Sequence, residues 1–224
     1  MNREKTVRLT HLGHSCVLID DPAGSAGTVL IDPGTLADSI DAIGDVDAVL
    51  ITHEHPDHLE LAKLHQLRRA NPQLEVFASP GVPSMLPPEE RERAVVLSSD
   101  DVARADIAGW DVMARTTPHA TIHPALPELT NNAYGIAERI WHPGDALVVP
   151  DQPVDILLLP IGAPWMKLSE AVDYLRAVAP RLAVPIHQGG LAPAHRELHC
   201  DLLAKFAPAD TELLLTPTGV PVEL

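Results

Sequence analysis

One stretch constrains this chain more than any other: Ala48-Val49-Leu50-Ile51-Thr52-His53-Glu54-His55-Pro56-Asp57-His58. Its apolar start reads as a strand buried on both faces. Directly after it, His53, His55, Asp57 and His58 crowd into six positions. Packed together at a strand end without a cation, such side chains would leave buried polar groups unsatisfied. Imidazole nitrogens and carboxylate oxygens are the donors that Zn²⁺ and its neighbours in the series prefer. His53 and His55, two apart beyond the strand, can reach one ion. Asp57 and His58, adjacent where the chain turns, can point to a second.

The surroundings read as alternating strands and helices. Val7-Arg8-Leu9, Cys16–Ile19 and Thr28–Ile31 form short strands bounded by Gly13, by Asp20–Gly27 and by Asp32-Pro33-Gly34. Leu61, Leu64 and Leu67 recur at helical spacing, which predicts a helix over Leu59–Ala70, and Glu75–Ala78 returns as a strand. Further strands are expected at Asp111–Arg115, Ala133–Ala137, Ala146–Val149, Ile156–Leu159, Leu182–Ile186 and Glu212–Leu215. Helices fit Glu170–Ala177, with Ser169 as N-cap, and His195–Phe206. Two packed sheets with helices outside follow, as one domain over residues 1–224 without linker or repeat.

Thr52–His58 resembles the HxHxDH signature of the metallo-β-lactamase superfamily, whose fold is a four-layer α/β sandwich, αββα, with the site at one edge. That resemblance implies three further ligands in strand-end loops, in a fixed order. His119 in Thr117-Pro118-His119, Asp145 in His142-Pro143-Gly144-Asp145, and His187 in Val184-Pro185-Ile186-His187 match them. It runs from Gly13-His14-Ser15 to His187, most of the chain. By the same resemblance His53, His55 and His119 bind one metal, while Asp57, His58 and His187 bind the other. Asp145 bridges both, and Asp57 is the candidate catalytic carboxylate. The cofactor implied is a pair of divalent ions, zinc foremost, with Mn, Fe, Co and Ni able to occupy the same donors. Around this set, Asp32 at a strand end can orient a ligand histidine or simply form a turn. His14 stands at the edge of the site, and His123 and Trp165 lie in neighbouring loops, as substrate contacts or as rim packing. His195 and His199, four apart, read as an exposed helix face because His195–His199 is not HExxH.

Charge and composition narrow the partners. With 16 basic and 31 acidic side chains the net charge is −15, and no Lys/Arg stripe offers itself to a phosphate backbone, so bulk nucleic acid is excluded. Met1–Lys5 leads into a strand without the apolar run of a signal peptide, and no stretch is long enough to span a membrane. A cytoplasmic enzyme with a small-molecule substrate is expected, with self-association as a homo-oligomer left open. Cys16 and Cys200 form neither a disulfide framework nor a CxxC pair. The chain has no room for the inserted or appended domains of ribonuclease-type and glyoxalase II-like members. Leu157–Gly162 and Pro185-Ile186-His187 are similar to compact members, the ascorbate-6-phosphate lactonase-like and N-acylphosphatidylethanolamine phospholipase D-like proteins. These imply hydrolysis of an ester, lactone or phosphodiester. A mononuclear iron dioxygenase of the same fold and a non-catalytic metal-binding module are the alternatives; one iron per chain would mark the first.

Overall fold

The structure is a computed structural model describing residues 6–38, 40, 43–98 and 102–224; the Met1–Lys5 stretch lies outside the described residues. Strands β1 (Arg8–His11), β2 (Val17–Asp20) and β3 (Val29–Ile31) form an antiparallel meander. Next come β4 (Ala48–Ile51), β5 (Glu75–Ala78) and β6 (Ala94–Val96), which extend the sheet in parallel from β3. The second sheet opens with an antiparallel run of β7 (Ala103–Ile107), β8 (Trp110–Pro118), β9 (Thr130–Ile136) and β10 (Ile140–His142). It continues in parallel through β11 (Ile156–Pro160), β12 (Leu182–Ile186) and β13 (Glu212–Leu213). The last strand, β14 (Pro221–Glu223), returns to pair antiparallel with β1 in the first sheet. Helices α1 (Leu61–Ala70), α2 (Pro88–Arg91), α3 (Leu168–Val178) and α4 (Pro193–Phe206) lie between strands in sequence.

The continuous apolar runs are explained by burial on both faces. In β4, Ala48 and Leu50 point into the interface between the sheets, where Val17, Val29 and Ile31 meet Trp110, Val112, Tyr134 and Ile136. Val49 and Ile51 point the other way, onto Leu64 and Leu67 of α1. Strand β11 does the same on the far side. Ile156 and Leu158 face the other sheet, while Leu157 and Leu159 meet Ala171 and Leu175 of α3 and Leu203 of α4. Period-two side-chain alternation thus builds helix, sheet, sheet and helix in four layers, the αββα order expected.

Several boundaries differ from expectation, each for a local reason. Ala146–Val149 is not a strand. The Val148 carbonyl accepts from Trp141 Nε1 at 3.1 Å and Tyr174 OH at 2.8 Å, so side chains take the place of a ladder. Helix α1 starts at Leu61, because Leu59 belongs to a turn in which the His58 and Leu59 amides donate to the His55 carbonyl. The N-cap of α3 is Lys167, not Ser169; its amide donates to Glu170 Oε2 at 2.6 Å. Strand β8 runs on to Pro118 and so delivers His119 directly. No helix among the described residues is long and apolar enough to cross a membrane.

Candidate metal centre

The pairing directions make β1, β3 and β4 run alike in one sheet, and β8, β10 and β12 run alike in the other. Every predicted ligand-type residue follows the C-terminal end of one of these strands: His53–His58 after β4, His119 after β8, Asp145 after β10 and His187 after β12. His14 follows β1 and Asp32 follows β3. The loops converge into two groups whose donor atoms all lie within 4.8 Å of one another. One holds His53, His55, His119 and Asp145; the other holds His14, Asp57, His58 and His187.

Asp145 touches both. Its Oδ1 lies 3.2 Å from His58 Nε2 and 3.2 Å from His187 Nε2. Its Oδ2 lies 3.4 Å from His119 Nε2 and 3.9 Å from His53 Nε2. The carboxylate is held from behind by backbone. The Asp145 amide donates to Asn131 Oδ1 at 2.9 Å, and the Ala120 amide donates to the Asp145 carbonyl at 2.8 Å. The preceding Gly144 adopts φ 61°, and a Cβ there would run into Asn131 Oδ1, so glycine is required. Its amide donates to His142 Nδ1 at 3.0 Å, and the opposite His142 nitrogen donates to the Ser15 carbonyl at 3.1 Å. Asn131 and His142 were not singled out in the sequence. His142, two residues before Gly144, carried the only local signal.

The hydrogen bonds at the backs of the rings fix which nitrogen is bare. Thr52 Oγ1 gives its single proton to Asp32 Oδ2 at 2.7 Å and so accepts from His53 Nδ1 at 3.0 Å. His58 Nδ1 donates to Asp32 Oδ2 at 2.7 Å, His119 Nδ1 to the Ala120 carbonyl at 2.6 Å, and His187 Nδ1 to the Gly162 carbonyl at 2.7 Å. All four Nε2 atoms therefore point inward. There they crowd. His53 Nε2 lies 3.0 Å from His55 Nδ1 and His58 Nε2 3.3 Å from His187 Nε2, while His119 Nε2 and Asp145 Oδ1 are buried with no hydrogen-bond partner. Nitrogen and oxygen acceptors packed this way repel one another unless a proton or a metal cation lies between them, and imidazole and carboxylate donors in two such groups fit a pair of divalent metals.

His14 is placed differently from the other histidines. The Gly189 amide donates to its Nδ1 at 3.1 Å, which leaves Nε2 carrying the proton and donating to Asp57 Oδ2 at 3.0 Å. It thereby orients a carboxylate instead of offering a lone pair. His14, Asp32 and His187 all adopt positive φ, at 50°, 49° and 59°. Such strain costs roughly 1 kcal/mol or more per residue and collects at functional sites. Gly34 lets the loop after β3 approach the Asp57 backbone, where a Cβ would clash.

Protonation follows from this packing. Burial, reinforced by His58, holds His53 well below the ordinary imidazole range. Burial also lowers His55, with His119 adding to it. Burial works against the charged form of His58 too, but the Asp145 and Asp32 carboxylates outweigh it and raise that imidazole well above its usual value. For Asp145 and Asp57 burial would raise the carboxyl. The facing histidines reverse it in both, chiefly His58 and His187 at Asp145 and His14 and His58 at Asp57, so both are held below the usual range.

The remaining candidates separate. Trp165 reaches the centre, its indole N–H donating to Asp145 Oδ2 at 2.8 Å and its ring centroid lying 6.3 Å from His119 and 6.2 Å from His187. His123 sits on the exposed loop after β8 and lines a cavity of about 610 Å³ that opens beside His55 and His119. His195 is exposed on α4 as expected. His199 is not simply an exposed face residue: half-buried, it donates from Nδ1 to the Ile161 carbonyl at 2.7 Å.

Residues 8–187 match the model of the beta-lactamase superfamily domain. The chain is 42% identical over 219 residues to Protein Rv0786c of Mycobacterium tuberculosis, covering 96% of this chain and 99% of that one. It is 32% identical to the UPF0173 protein PF0020 of Pyrococcus furiosus over 85% of this chain and 88% of that one. Among solved structures, it resembles Igni18, a metallo hydrolase from the archaeon Ignicoccus hospitalis, with a TM-score of 0.70 and 20% identity over 98% of each chain.

Proposed function

The chain belongs to the metallo-β-lactamase superfamily as a metal-dependent hydrolase, and we propose that it works through two ions, cleaving an ester, lactone or phosphodiester of a small molecule. His53, His55 and His119 would hold one ion and Asp57, His58 and His187 the other, with Asp145 shared between the two groups. The single observation that supports this most is the orientation of Asp145, one oxygen toward each group. Divalent ions bound there would supply Lewis acidity and lower the pKa of water toward neutrality. The protein's own part is positional. Thr52 and Asp32 lock the His53 and His58 rings from behind, so that both Nε2 atoms face the centre. Asp57 is held ionised by His14 and His58, with its side chain 31% exposed. Ionised and partly open to solvent, it could hold a metal or accept a hydrogen bond from a water, and a carboxylate held below the usual range is a poor base.

The test is elemental analysis after reconstitution with Zn²⁺, Mn²⁺ or Fe²⁺, followed by assay on ester, lactone and phosphodiester panels. Two ions per chain and turnover on one of the panels are expected. A plateau at one iron, with oxygen consumed on a thiol substrate, would overturn the reading in favour of a dioxygenase.

A further inference from the structure

The loop between β8 and β9 begins with His119 and continues through Ile122-His123-Pro124-Ala125-Leu126-Pro127, in which five of six residues are apolar. Ile122 is 39% and Leu126 55% exposed. On a chain of net charge −15 such a run is an anomaly: exposed loops are ordinarily polar, and apolar surface beside a cleft marks a binding site. The loop is also tied by hydrogen bonds of its own. The Ala125 amide donates to His123 Nδ1 at 3.1 Å, the Leu126 amide to the His123 carbonyl at 2.9 Å, and the His119 amide to the Leu129 carbonyl at 2.9 Å. Its side chains wall the cavity that opens beside His55 and His119.

The charges of that cavity are as informative as its apolar wall. No Lys or Arg lines it, and its one acidic residue is Glu128. Near the centre, Lys63 is committed to the Gly34 and Ala37 carbonyls at 2.7 and 2.8 Å and to Glu60 at 3.2 Å. A substrate carrying a phosphate or carboxylate away from the scissile bond would find no counter-charge here and would meet Glu128. We propose that the wall of Ile122, Pro124, Leu126, Pro127 and Leu129 binds an uncharged, apolar group flanking the scissile bond, so that the substrate carries a hydrocarbon chain or ring beside the bond that is cut. This rests on the binuclear hydrolase reading and narrows it.

Alkyl hydroxamates of two, four and eight carbons test it on the metal-loaded protein, because their head group chelates the centre while only the tail varies. Calorimetry should show affinity rising about three- to fourfold per methylene as the tail enters the wall. In Ile122→Asp and Leu126→Asp, both at exposed positions, the dependence on tail length should flatten. The two-carbon compound serves as the reference for an intact centre. p-Nitrophenyl esters of the same chain lengths should follow the same order in kcat/KM. Equal affinity for all tails, or an unchanged slope in both variants, would overturn the proposal while leaving the hydrolase reading standing. So would tighter binding of a tail ending in carboxylate or phosphate. Failure of even the two-carbon head group to bind a protein with two ions loaded would instead overturn the hydrolase reading, and this proposal with it.

Discussion

His53 and His58 are both fully buried, and both turn Nδ1 toward the Thr52–Asp32 pair, yet their protons are held in opposite ways. His53 hydrogen-bonds to a hydroxyl and faces other histidines, so burial keeps it neutral. His58 lies between two carboxylates, Asp32 behind and Asp145 in front, and they keep it charged against burial. The half of the centre containing His53 and His55 is therefore ready for a cation as folded. In the half containing His58, the proton on that imidazole balances the buried carboxylates. Metal entering that half must displace it.

The largest expected effect comes from removing the group the halves share. Asp145→Asn keeps the shape and the hydrogen bond from its backbone N–H to Asn131 Oδ1 but loses the charge, and an amide bridges cations poorly. Turnover should fall by a factor on the order of a hundred or more. The second ion should be lost, because its half keeps only one carboxylate. Metal content and hydrolysis, with circular dichroism to verify folding, check both. Full activity with two ions bound would make Asp145 a turn residue and dissolve the comparison.

Acid should separate the halves next. Because His58 is raised above the ordinary value near 6.5, its proton competes with metal across the neutral range. Affinity at that half should fall about tenfold per pH unit below the His58 pKa. His53 and His55, both lowered, compete only at more acid pH. Equilibrium dialysis from pH 8 to pH 5.5 should show two ions giving way to one before the last is lost. The same signs set the stability of the metal-free protein. The His58 contribution is complete below about pH 6.5 and is lost as pH rises through its raised value. The Asp145 contribution is present above about pH 4 and is lost as pH falls through its depressed value. Loss of both ions in one step would break the distinction.

This asymmetry could not have been read from the sequence, although its parts could. His53–His58 lie in one short segment, and His119, Asp145 and His187 follow in the order the resemblance implies, so the ligand-type residues were legible. Asp32 was legible too, as a strand-end carboxylate able to orient a ring; the structure puts it 2.7 Å from His58 Nδ1. What stayed hidden depends on partners distant in sequence. The tautomer of His14 is set by the Gly189 amide, and the Asp145 main chain is held by Asn131. Trp165 reads as rim packing until its N–H is seen on Asp145. In the fold, the long apolar strands β4 and β11 were clear, whereas β6, β10 and β14, three residues each, carry too little pattern. Ala146–Val149 carried a strand pattern, but tertiary bonds from Trp141 and Tyr174 claim its carbonyl.

A smaller, one-sided effect is expected at His14. His14→Asn retains a residue that tolerates positive φ but cannot deliver the imidazole N–H to Asp57. Affinity for the second ion should weaken on the order of tenfold, while the ion held by His53, His55 and His119 is unaffected. Competition with a chromophoric chelator resolves the two binding steps. Equal weakening of both would mean that His14 supports the whole cluster.

Trp165 provides the opposite one-sided change, and the smallest. Its indole N–H lies on Asp145 Oδ2, the oxygen turned toward His119 and His53. Trp165→Phe keeps a ring over the centre and removes the donor, so the first ion should be the one affected. A hydrogen bond to a carboxylate is among the stronger kind, but the indole is only half-buried and a metal on Oδ2 would share the same oxygen. A change on the order of threefold in affinity for that ion follows, in place of the full value of a buried charged bond. The protein carries its own reporter for this step. Trp110 and Trp141 are fully buried in the core, which leaves Trp165 as the indole beside the histidines. Binding of Co²⁺, which quenches nearby fluorescence, should dim the wild-type emission during the first step of the titration and leave Trp165→Phe nearly unchanged. His195→Ala, exposed on α4, should match the wild type in both readouts. Quenching that persists undiminished in Trp165→Phe would show that another indole senses the metal and remove Trp165 as the reporter.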